Sequence, residues 1–126
     1  MNSGLIVSKC LFCGELNVMI IYPKHENYSW FKVAFENTNA FLMAKDKMIV
    51  IDGNKVSQSW FKRKHMLIIQ AHEAAHYLMG HTKETDCTDE LEHEVDLFAI
   101  ELLKKHNYEK VIEFYKDFIG EKNETK

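Results

Sequence analysis

Long apolar runs are missing from this chain: none exceeds the five residues 18–22, far short of the roughly 20 that cross a bilayer as a helix. A helical membrane span is therefore excluded, and no membrane partner is expected. The start also lacks a charged region ahead of an apolar core, because Lys9 interrupts the stretch containing Leu5, Ile6 and Val7. No secretory leader is read there, and a cytoplasmic protein is expected. Positive charge is not in excess either: 16 Lys and Arg stand against 19 Asp and Glu, a formal net charge of −3. No basic field exists to hold a phosphate backbone, so nucleic acid is not an expected partner. Cysteine is scarce and odd in number, with three residues, which argues against a disulfide framework and for reduced thiols. Internal repeats and low-complexity segments are absent. The 126 residues, 46% of them apolar, fit a single domain spanning 1–126, with the polar tail 120–126 expected to fray.

What is present is segregated along the chain. The first half carries short β-rich runs broken by polar residues, and the second carries long segments with helical spacing, which points to an α+β fold. Strands are expected at 18–22, 28–35, 40–44 and 48–51, in a small, mainly antiparallel sheet. Pro23 closes the first, Lys45-Asp46-Lys47 is a tight turn that makes the last two a hairpin, and Asp52-Gly53-Asn54 ends the sheet. From 57 to 79 there is neither proline nor glycine, and Gly80 supplies a helix stop. Phe61, Ile68, Ala71, Ala75 and Leu78 can face the sheet from this helix, while His65, Ile69, His72 and His76 share a neighbouring face. Two further helices are expected at 90–105 and 108–119, broken at Asn107, the last packing through Val111, Phe114, Tyr115 and Phe118.

The chemistry lies in Gln70-Ala-His-Glu-Ala-Ala-His-Tyr77, where His72, Glu73 and His76 form the H-E-x-x-H pattern of zinc hydrolases. A helix turns both histidines onto one face, within reach of one metal ion. Random placement of this chain's histidines and glutamates would give such a pattern about 0.04 times, so the neighbourhood has to decide. A catalytic zinc takes three protein ligands and keeps a fourth position open. The third is expected from Glu92, in Glu92-His-Glu-Val-Asp96, because Glu92 and Asp96 lie four apart on one helix face. Asp96 would then hydrogen-bond the outer nitrogen of a ligand histidine and fix its tautomer. Glu94 competes, but lies about 160° around the helix from Glu92. His81, just after Gly80, is the other contender, and otherwise a histidine at a helix end, where the dipole favours it.

With one zinc per chain on His72, His76 and Glu92, the ion would lower the pKa of its water and polarise a carbonyl. Glu73 would act as general base and pass the proton to the leaving amine, so the reaction implied is hydrolysis of peptide bonds. His93, His106, Tyr108 and Tyr115 are the chemical candidates for stabilising the oxyanion, with no spacing that selects one. His65 either rims the same cleft or is a solvated member of the basic patch Lys62-Arg63-Lys64. Cys10-Leu-Phe-Cys13 resembles half of a zinc knuckle that only Cys87 and histidines such as His25 could complete. The alternative readings are a pair of buried or half-exposed thiols, or a redox pair.

The segment from His72-Glu-Ala-Ala-His-Tyr-Leu-Met-Gly-His81, with the later Glu92-His-Glu-Val-Asp-Leu-Phe-Ala-Ile-Glu-Leu-Leu103, resembles the ImmA/IrrE family of gluzincin-like metallopeptidases. The resemblance covers about residues 57–105. Ala75 stands where that family usually has glycine, Val95 where it has alanine and Lys104 where it has proline. The resemblance implies zinc ligands at His72, His76 and Glu92, a catalytic Glu73 and a supporting Asp96. It also implies a zincin-like sheet whose edge strand pairs with an extended substrate, and the exposed edge is expected at 48–51. A protein substrate is implied, since relatives clear a repressor-like regulator, and so is an origin in a phage or mobile element. Oligomeric state is left open. The competing function is a catalytically silent, zinc-stabilised interaction module whose cleft binds a partner without cutting it.

Overall fold

The computed structural model describes residues 4–80 and 88–124. Four strands, β1 (Leu5–Lys9), β2 (Asn17–Ile21), β3 (Ala40–Met43) and β4 (Met48–Asp52), form one sheet in the order β1-β2-β4-β3. The helices are α1 (Tyr28–Phe35), α2 (Gly53–Val56), α3 (Arg63–Leu78), α4 (Asp89–Lys105) and α5 (Glu109–Glu124), and the last three pack together after the sheet. The fold is α+β. Its sheet is mixed, because β2 and β4 run parallel while β1–β2 and β3–β4 are antiparallel.

That parallel pair explains the main departure from the sequence reading. Residues 28–35 form a helix, not a strand. Parallel neighbours need a crossover between them, and α1 with β3 provides it. The run Tyr-Ser-Trp-Phe-Lys-Val-Ala-Phe is rich in residues that favour strands, yet Tyr28, Phe31 and Phe35 recur at three and seven. They form one stripe that packs on Ile21, Val50 and Phe41 across one face of the sheet. Trp30 and Val33, on the other side of α1, are exposed. β1 was not expected at all. It is an outer strand, exposed along most of its length, so it has no buried face to print a period of two on the sequence.

The opposite face of the sheet carries Val18, Ile20, Leu42, Ile49 and Ile51, which meet Leu67, Ala71, Ala74 and Ala75 of α3. The three alanines, fully buried, leave room for close packing. Ala75 sits in this contact, fully buried. α3 starts at Arg63 rather than 57, because Asp52 caps the short α2 and the chain then turns through Phe61 before a new start. There the Lys62 N–H donates to His65 Nδ1 at 3.0 Å, as a third-position side chain does when it reaches back to a helix cap. Phe61 therefore precedes the helix, and Leu78 is exposed at its end; neither faces the sheet.

The turns behave as their residues suggest. Gly80, with φ +81°, stops α3, and Asn107, with φ 63°, separates α4 from α5. The β3–β4 hairpin closes through a 3₁₀ turn, Ala44–Asp46, followed by Lys47 in the left-handed region at φ 51°. β4 lies between β2 and β3, so the edges of the sheet are β1 and β3 and not 48–51. α5 continues through the segment expected to fray as far as Glu124. In α5, Ile112 and Tyr115 are buried, while Val111 and Phe114 are half-buried; the Phe118 side chain lies outside the described residues. No described helix is long and apolar enough to cross a membrane.

Candidate metal centre

α3 and α4 bring three side chains to one point. His72 and His76, one turn apart on α3, hold their rings 4.9 Å apart at 76°. Glu92 comes from the first turn of α4, whose start is fixed by Thr88: its hydroxyl accepts the Leu91 N–H at 3.1 Å. A carboxylate in that turn is favoured by the helix dipole. Glu92 Oε2 lies 3.4 Å from His72 Nε2, and Oε1 lies 3.4 Å from His76 Nε2. One ligand atom from each of the three falls within 4.8 Å of the others, the arrangement a metal ion requires. This is the only such group of three among the described residues. Glu94 and His93 point to solvent from α4, and His81 and Cys87 lie outside the described residues.

Behind these three side chains stands a buried polar cluster. Asp96 Oδ1 is 3.2 Å from His72 Nδ1, and Tyr115 of α5 donates its hydroxyl hydrogen to the same oxygen at 2.5 Å. The Tyr115 hydroxyl is itself 3.1 Å from His72 Nδ1. Asp96 thus holds Nδ1–H and leaves Nε2 directed at Glu92, the orientation an outer carboxylate imposes on a ligand histidine. Burial alone would lower the pKa of His72, but the hydrogen bonds from Asp96 and Glu92, with the charge of Glu73, push it up to about 10 in the metal-free protein. Burial, together with the Asp96 charge, raises that of Tyr115, which stays protonated and able to donate. Sequence reasoning had placed Tyr115 among four oxyanion donors. Its signal as a support is a polar tip in the apolar stripe of α5, which pattern alone reads as packing.

These groups open into a cleft of about 380 Å³. Glu73 lines it beside His72 and is only 7% exposed. Thr38, Asn39 and Ala40, at the start of the edge strand β3, form one wall; Phe114 and Tyr115 of α5 form another. His65 lines the same cleft rather than standing free in the basic patch. The other proposed oxyanion donors are elsewhere: His106 and Tyr108 pack edge-on against Phe12.

The cysteine pair is remote from this centre in its chemistry. Cys10 is buried and Cys13 half-buried, both as free thiols. Burial pushes the Cys10 thiol up, against the pull of the Phe12 and Cys13 amides, the opposite of a reactive thiolate. The loop they occupy is tied to the back of α3 instead: the Leu11 N–H donates to Gln70 Oε1 at 3.0 Å, and the Tyr77 hydroxyl to Glu15 at 2.9 Å. His25 is engaged locally, its Nδ1 accepting the Asn27 N–H. Comparison with protein-family models, with curated proteins and with solved structures returned no match for this chain.

Proposed function

We propose that this chain is a zinc-dependent metallopeptidase of the gluzincin kind, akin to the ImmA/IrrE family, acting on a protein or peptide. The observation that carries the reading is the convergence of His72, His76 and Glu92, with His72, Glu92 and Glu73 lining an open cleft. Tetrahedral zinc with bonds of about 2.0–2.1 Å sets neighbouring ligand atoms about 3.3–3.4 Å apart. Each histidine stands 3.4 Å from a different Glu92 oxygen, close to that edge, and one atom from each of the three residues lies within 4.8 Å of the others. Two imidazoles and a carboxylate are also the donor set of many zinc hydrolases.

Zinc held there supplies a Lewis acid that makes water acidic and polarises a substrate carbonyl. Glu73, next to His72 and facing the cleft, takes the proton from the attacking water and delivers it to the leaving amine. Asp96 keeps His72 in the tautomer that ligates through Nε2, and Tyr115 keeps Asp96 in place. An extended peptide would lie along β3, whose start lines the cleft and whose outer side has no strand beside it among the described residues.

The second reading, a zinc-stabilised interaction module, draws on one observation. Of the expected oxyanion donors only Tyr115 lines the cleft, and its hydroxyl is already committed to Asp96. Glu73→Gln separates the two. Under the first reading, cleavage of a denatured protein or peptide mixture, followed by mass spectrometry, falls by about 10²–10⁴-fold with one zinc per chain retained. Under the second, the wild-type protein cuts nothing and the variant binds its partner unchanged.

A further inference from the structure

The cleft does not end at the ligands. Along α3, away from His76, its lining turns apolar and aromatic, with Trp60, Phe61, His65, Ile68 and Phe114 facing the opening. Their rings brace one another. The His65 ring lies 5.5 Å from Trp60 and 5.3 Å from Phe114, both edge-on, and Trp60 meets Phe61 at 5.6 Å. Lys64 Nζ sits 4.0 Å above the Phe114 ring. His65 is fixed from the backbone side by the Lys62 N–H, so its ring is a rigid strut of this wall. Trp60 nonetheless remains 47% exposed. An indole left half in water at the mouth of a concave, pre-formed apolar wall is the usual make-up of a site that receives a ligand side chain.

Charge identifies the ligand further. Lys62, Arg63 and Lys64 are all exposed beside this wall, in a chain whose net charge is −3. Cations in the first turn of a helix oppose its dipole, so helix stability does not account for them. At the other end of the cleft stand the carboxylates Glu73, Glu92 and Asp96. The surface beside the aromatic end of the cleft is therefore basic, while carboxylates line the end near His72 and Glu92.

We propose that the aromatic end is a specificity subsite for a peptide carrying a large aromatic side chain flanked by acidic residues. This rests on the peptidase reading only for the occupant being a peptide. His65 and His72 are seven residues apart, about 10 Å along the helix axis, and an extended chain advances about 3.3 Å per residue. The aromatic residue therefore lies about three residues from the bond held over the metal ligands.

The test uses zinc-loaded Glu73→Gln, which holds peptides without cutting them, and fluorescein-labelled decapeptides of alanine and glycine. One peptide carries a phenylalanine flanked by two glutamates; a second has alanine in place of the phenylalanine; a third has lysines in place of the glutamates. By fluorescence anisotropy the first binds about tenfold tighter than the second, as a filled aromatic pocket requires, and about threefold or more tighter than the third, a difference that shrinks with salt. Trp60→Ala and Phe114→Ala each erase the preference for phenylalanine with zinc content unchanged. Lys64→Glu, an exposed change that spares the fold, erases the preference for glutamate. In a Trp30→Phe background, the fluorescence of Trp60 changes on binding the first peptide. Equal affinity for the first two peptides, or no binding of either, overturns the proposal. The peptidase reading fails separately: selective binding with no cleavage by the wild-type protein keeps the subsite and removes the enzyme, and cleavage without preference does the reverse.

Discussion

The two faces of the sheet are built from the same strands and do opposite things. Under α1, Tyr28, Phe31, Phe35 and Phe41 pack ring against ring at 5.7–6.4 Å around Ile21 and Val50. The buried polar link on that side is short, the Tyr28 hydroxyl donating to Asp52 at 2.8 Å. Under α3, alanines and aliphatic side chains surround a polar interior. Among the described residues, four of the five buried polar or charged side chains, Gln70, Glu73, His76 and Asp96, lie on α3 and α4. Burying such groups costs free energy unless they are paired. The difference teaches that one face of the sheet is given mainly to packing, while the other holds polar groups that depend on one another for partners.

The comparison is most easily broken at Phe35, which is 3% exposed. Phe35→Ala should cost about 3–5 kcal/mol, as a truncated core ring does, while the folded fraction keeps its metal. Urea unfolding and metal analysis of the folded protein measure both, and loss of metal from molecules that remain folded would show the faces are coupled. Asp96→Asn acts on the other face. Metal affinity should drop about 10–100-fold, the usual effect of losing an outer carboxylate, as read by competition with a chromophoric chelator. Unchanged affinity would leave Asp96 a structural residue.

The proton provides a third probe. With His72 raised to about 10 in the metal-free protein, its contribution to stability is complete below its ordinary value of about 6.5. It is lost as the pH rises through about 10. Thermal melts of the metal-free protein should therefore fall across that window, less steeply in Asp96→Asn. For the same reason metal binding at neutral pH should displace a proton from His72, an outcome checked by a calorimetric heat that depends on the buffer. The smallest effect is expected from Lys47, which belongs to neither face. A side chain in the left-handed region costs roughly 1 kcal/mol, so Lys47→Gly should raise stability by about 0.5–1 kcal/mol and leave metal affinity alone.

Local signals told most of what they carry. β2, β3 and β4 fall within a residue of the expected bounds, because hydrophobic runs ended by Pro23, Lys45-Asp46-Lys47 and Asp52-Gly53 mark them. The pairing of His72 with His76 and of Glu92 with Asp96 follows from helical spacing, and the structure brings the three ligand candidates to one point. What stayed hidden depends on tertiary context. The helix at Tyr28–Phe35 is imposed by the crossover, β1 has no buried face, and Tyr115 reaches Asp96 only because α5 folds back beside α4. The aromatic wall around His65 joins residues before α3 to a residue on α5, a contact that no short pattern encodes.

The sheet's mixed pairing also bears on how the chain reaches its shape. β1–β2 and β3–β4 pair strands that are neighbours in sequence, so their contacts are local. The seam that joins them sets Asn17 opposite Met48 and Ile21 opposite Asp52. It closes only after everything between has been folded back, so the entropy of that closure precedes its contacts. Two locally paired halves joined by one long-range seam make the β2–β4 junction the expected slow step of folding, and the seat of α3, which carries His65, His72 and His76, is completed only once that seam has closed.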